Sequence, residues 1–122
     1  MFSKEVSLML YVDDVAAEKA FWQAVGFQIV AQSEMMGFDT FDMKPNADAT
    51  VTVTVFAKAF IAQVSPEVLD NVPSLLFEVT DIKSVHERIS ELTDTCSPIA
   101  ELPFKTFHFA SPSGLYFAVK GV

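Results

Sequence analysis

The sequence predicts an α+β domain of two βαβββ modules whose curved, mixed sheets enclose a cleft. Three observations carry that prediction. A strand start, a helix cap and a turn recur at one interval: Ser7 and Ser74, Asp14 and Asp81, and Pro45 and Pro112 each lie 67 residues apart. Both halves run in the order strand, Asp, helix. The segment "TVTVTVF", Thr50 to Phe56, alternates strictly, which is the period of a half-buried strand. The expected organisation is one domain over 1–122. Its first module covers about 4–56, a joint 57–72, and a second module about 73–121.

Taken in order, Val6 to Val12 ("VSLMLYV") is an apolar strand, and Asp13 and Asp14 stand where a helix begins. The helix "VAAEKAFWQAVG" follows, with Val15, Phe21, Trp22 and Val25 on its apolar side and Gly26 as its stop. Strands "FQIVAQS" and "FDTFDMK" flank a turn at Met36-Gly37, and "TVTVTVF" completes the module. The joint carries a short helix at "AKAFIAQV" between module end and Pro66. In the second half, "SLLFEVT" is a strand, Asp81 a cap, and "IKSVHERISEL" a helix with Ile82, Val85, Ile89 and Leu92 on its buried stripe. His86 is expected to face solvent. A short extended piece around Ile99, the strand "KTFHFA", a Pro-Gly turn and "LYFAVKG" finish the chain.

Alternation then sorts side chains by face. Leu8, Leu10 and Val12 should meet the first helix, leaving Ser7, Met9 and Tyr11 on the other face with Thr52 and Thr54. In the second module Leu75, Phe77 and Val79 should cover the helix while Ser74, Leu76 and Glu78 face away. The second faces are buried only if the sheets curl around a shared cleft, within one chain or between two.

Composition narrows the function. The 122 residues are 51% hydrophobic and include twelve Phe, enough for a substantial core and an apolar pocket. Net charge is −8, which excludes the basic surface that nucleic acid or an anionic membrane requires, while suiting a cationic small ligand. The Val6–Val12 run is too short to span a bilayer. Cys96 is the one cysteine, so no intrachain disulfide forms and a reducing, cytoplasmic location is expected.

The double layout resembles the vicinal oxygen chelate superfamily, the glyoxalase, bleomycin-resistance and extradiol-dioxygenase group. The segments that carry the resemblance are "LYVDDVAAEKAFWQAVGF" and "FEVTDIKSVHERI…SPSGLYFAV". The resemblance implies a divalent metal held by His and Glu on the cleft faces. A frequent His lies seven residues before the capping Asp, and here those places are Ser7 and Ser74. A frequent Glu lies four residues after the turn glycine, Gly114, and here that place is Ala118. Serine is a poor donor to zinc, iron or manganese and alanine is none, so no metal and no other cofactor is expected. By its likeness to the bleomycin-resistance branch, the chain is expected to be a homodimer. It is expected to bind a small molecule in the cleft without metal, for drug or metabolite sequestration.

The expected ligand contacts are Met9, Tyr11, Thr52, Thr54, Glu78, His108 and Tyr116. Tyr and Met suit an irregular, partly apolar ligand. Glu78 is placed to meet a cation or to pair with Lys120, and His108 to hydrogen-bond in the pocket. The repeat interval makes Phe41 the counterpart of His108. Asp39 and Asp42 fall on opposite faces of their strand and read as a solvated edge. No residue is assigned to catalysis. Two other readings stay open: a metal-dependent glyoxalase- or dioxygenase-like enzyme with atypical ligands, and a structural or regulatory dimer with a filled cleft.

Overall fold

The computed structural model describes Met1 to Val122 and divides into two compact units, Met1–Pro73 and Ser74–Val122. In the first, β1 (Ser7–Val12) leads into α1 (Val15–Val25), then β2 (Gln28–Met35), β3 (Phe38–Lys44), β4 (Thr52–Ala57) and α2 (Lys58–Val64), with a 3₁₀ turn at Pro66–Val68. The sheet order is β1-β4-β3-β2, with β1 parallel to β4 and the other pairs antiparallel. The expected strand from Thr50 begins at Thr52, because the ladder opens where Thr52 meets Ser7.

α1 starts as its sequence dictates. The Asp14 carboxylate accepts a hydrogen bond from the Ala17 amide at 3.0 Å. At its other end Gly26, at φ 118°, turns the chain into a left-handed conformation that a side chain would strain. Its inner face is built around Trp22, fully buried, edge-on to Phe21 at 5.4 Å and tilted against Phe27 at 4.7 Å. Opposite stand Leu10, Val12, Met43, Val53 and Val55, none more than 1% exposed. Glu18 lies in this core too, fully buried, its Oε2 accepting from Trp22 Nε1 at 2.9 Å.

Two backbone devices shape the β2–β3 hairpin. Met36 and Gly37 both have positive φ, 53° and 83°, the pairing that a tight hairpin turn requires. One extra residue, Val30, sits in β2 where the register passes from Ile29↔Met43 to Ala31↔Asp42. The bulge reverses the alternation, so Gln32 and Glu34 share the α1 side with Phe41.

The second unit contains β5 (Leu76–Val79), α3 (Ile82–Leu92), β6 (Thr106–Ala110) and β7 (Tyr116–Gly121), in the order β5-β7-β6 with β5 parallel to β7. Asp81 caps α3 by accepting from the Ser84 amide at 3.1 Å. The core joins Ile82 and Ile89 with Phe107, Phe109, Phe117 and Val119. Two expectations for α3 are corrected. Leu92 is 41% exposed, while His86 is half-buried, its ring edge-on to Phe107 at 4.8 Å and its Nε2 donating to the Ser97 carbonyl at 2.8 Å. Of the expected stripe Ile82, Val85, Ile89 and Leu92, the first three are buried or half-buried, and His86, four residues after Ile82 and three before Ile89, takes the inward place that Leu92 leaves.

The second sheet has three strands, not four. The piece around Ile99 is reduced to one bridge, Ala100↔Thr106, because Pro98 and Pro103 bring no amide donors to a ladder. Side chains complete the pairing instead. Ser97 Oγ accepts from the His108 amide at 3.0 Å and Thr95 Oγ1 from the Ala110 amide at 2.8 Å. No helix is long and apolar enough to cross a membrane.

Candidate functional site

In the first unit, strand register builds a row of side chains on the face away from α1. Met9 lies beside Thr54 across β1–β4, and Asp42 lies beside Thr54 across β3–β4. Thr54 Oγ1 donates to Asp42 Oδ1 at 2.7 Å, which orients a half-buried carboxylate that has no base within ion-pair distance. Met9 is 45% exposed, and the next row pairs Thr52 with Ser7. Tyr11, expected among the ligand contacts, lies in the core. It is 7% exposed, because α2 lays Phe60 and Ile61 over it and over Phe56 and Phe38. A helix from the joint thus covers one end of this face.

The face away from α3 in the second unit carries the rows Leu76–Ala118–His108 and Glu78–Lys120–Thr106. The His108 imidazole is exposed and meets Tyr116 edge-to-face, with centroids 5.8 Å apart. Tyr116 and Leu76 are 58% and 50% exposed. Glu78 is exposed and does not pair with Lys120, whose ammonium lies 4.8 Å over the Phe104 ring instead.

Sequence reasoning missed Asp42. His108 faces Ala118, and Asp42 faces Thr54, at matching places in the two sheets, so the register counterpart of His108 is Asp42 and not Phe41. The interval between β3 and β6 is 66 residues rather than 67, and a one-residue slip exchanges the two faces of a strand. The buried Glu18 was missed as well; its four-residue spacing to Trp22 on the apolar side of α1 was the available signal.

Neither a family model nor a curated protein matches the sequence. Solved structures do. TnmS3, an antibiotic binding protein from Streptomyces sp. CB03234, superposes with a TM-score of 0.77 at 16% identity, covering 98% of this chain and 96% of its own. A glyoxalase/bleomycin resistance protein from the same organism gives 0.74 at 17%, over 96% and 99%. The fold is that of the vicinal oxygen chelate superfamily. The fosfomycin resistance protein FosX from Listeria monocytogenes, as its E126Q mutant with Mn(II) and 1S,2S-dihydroxypropylphosphonic acid, gives 0.72 at 14%, over 99% and 93%.

The FosX structure holds Mn(II), and the residues present here do not fit such an ion. Nowhere do three His, Cys, Asp or Glu side chains come together. Asp42 has a threonine and a methionine in its row, and His108 an alanine and a leucine. Ser7 and Ser74 are exposed hydroxyls, and the buried side-chain atom left without a partner, Ser111 Oγ, adds neither carboxylate nor imidazole.

Proposed function

We propose that this protein binds a small, partly apolar molecule without metal, on the sheet faces turned away from α1 and α3, and sequesters it as a drug or metabolite. The observation that carries this reading is polar groups held in place among exposed apolar side chains. Asp42 is oriented by Thr54 beside Met9, and His108 stands against Tyr116 beside Leu76. Such faces match ligand sites, in which a few placed polar groups fix orientation within apolar surface. Met9, Thr52, Thr54, Glu78, His108 and Tyr116 would contact the ligand, joined by Asp42, with Tyr11 supporting them from beneath α2. The two unpaired carboxylates and the net charge of −8 favour a ligand carrying a cation. The antibiotic-binding neighbour supports this class of function. We place the protein in the cytoplasm as a homodimer, binding neither nucleic acid nor membrane.

Native mass spectrometry of protein purified without chelator or metal-scavenging tag tests the proposal. A dimer with an organic adduct and no metal is the expected spectrum, and Asp42→Asn should release the adduct. One stoichiometric metal ion per chain would overturn it in favour of the enzyme reading.

A further inference from the structure

In the first unit, the face that carries Asp42 is partly covered by the protein's own side chains. One row along the strands from Met9, Thr54 and Asp42, about 7 Å away, Tyr11, Phe56 and Thr40 stand abreast. Phe38 continues this floor on β3. The Phe60 ring of α2 lies over it, stacked on Phe56 at 5.6 Å with the planes 26° apart, and tilted against Phe38 at 5.9 Å. Tyr11, Phe60 and Ile61 are buried there, while Phe38 and Phe56 are half-buried.

The cover is lightly held. α2 has seven residues, too few for a helix stable by itself, and its N-cap, Ala57, has no side chain to accept an amide. Of its residues, Phe60 and Ile61 alone are buried. Lys58 Nζ meets Asp13 Oδ1 at 3.2 Å, but both side chains are exposed, where an ion pair holds little. From Ser65 to Pro73 the chain has one 3₁₀ turn and no strand or α-helix to fix where α2 sits. An arriving aryl group matches Phe60 in shape and in stacking preference, so exchanging one ring for the other leaves the aromatic floor covered. We propose, resting on the ligand face assigned above, that α2 is a movable cover and that Phe60 holds the place of an aryl group. The ligand is then aromatic, its ring displacing Phe60 from Tyr11, Phe56 and Phe38, one row from Asp42.

The test titrates the full chain with 3-phenylpropylamine and follows affinity by calorimetry and α2 by backbone amide exchange. Saturation should accelerate exchange at Ala62 to Ser65, whose amides α2 protects, whereas a ligand that left α2 in place would slow it. Lys58→Ala frees the cover without touching the aromatic floor, and should tighten binding about twofold to fivefold. Phe60→Ala, with the place already vacant, should bind about tenfold more tightly than the parent, and adding Lys58→Ala should then change nothing. Lys58→Ala alters only a surface pair, so the test does not depend on Phe60→Ala folding. n-Propylamine lacks the ring and should bind about tenfold more weakly or worse, leaving α2 exchange unchanged. Unaccelerated exchange in α2 at saturation, no tightening by Lys58→Ala, or no binding of 3-phenylpropylamine or 3-phenylpropan-1-ol to Phe60→Ala would each refute the movable cover. Equal affinity for the uncharged alcohol and the amine, with α2 exchange still accelerated, would uphold the cover and overturn the assignment of a cation to Asp42.

Discussion

Thr95→Val isolates what holds the edge of β6, the strand that carries His108. Valine keeps the shape of threonine and removes one hydroxyl. That hydroxyl accepts from the Ala110 amide at 2.8 Å and also meets Thr93 Oγ1 at 2.8 Å. Ala110 is only 4% exposed, so its amide has little access to replacement water. An unsatisfied buried donor costs about 1–3 kcal/mol, and a value of about 2 kcal/mol is expected here. That is about a thirtyfold change in the unfolding equilibrium and roughly 8 °C in Tm for a chain of this size. Ser97→Ala removes the equivalent acceptor from the His108 amide, but His108 is exposed and water replaces the serine, so about 0.5 kcal/mol is expected. Urea unfolding of both variants supplies the comparison, and hydrogen exchange should accelerate at the Ala110 amide in Thr95→Val. If Ser97→Ala cost as much as Thr95→Val, burial would not be the deciding variable and the reasoning would fail.

Two further outcomes are expected. Tyr116→Ala should weaken adduct retention in the native spectrum with little change in Tm, whereas Tyr11→Ala should lower stability by about 3 kcal/mol, because α2 buries Tyr11 and sheds a large aromatic contact. Equal thermal melts for the two tyrosine variants would contradict the placement of α2. Gly26→Ala should cost about 1–2 kcal/mol, the strain of a side chain at φ 118°, read from the midpoint of chemical denaturation. No loss there would mean that α1 can end without its left-handed cap.

Capping acids, helix stops, the hairpin turn and the apolar alternation of β1, β4, β5 and β7 were legible in the sequence because each is set by neighbours in the chain. Asp14 needs only the amide three residues on, and Met36-Gly37 needs only its own backbone angles. The faces that bear Met9, Thr54, Glu78 and His108 followed from the same period of two. What tertiary structure decided was phase. One extra residue at Val30 turned Gln32 and Glu34 toward α1, and a one-residue difference in interval exchanged Phe41 for Asp42 as the partner of His108. Covering elements decided the rest. α2 took Tyr11 into the core, and β6 took His86 onto Phe107 and left Leu92 at the surface. Local rules assign a side chain to one of two faces, but only the register of the neighbouring strand and the element packed above it determine whether that face is core or site.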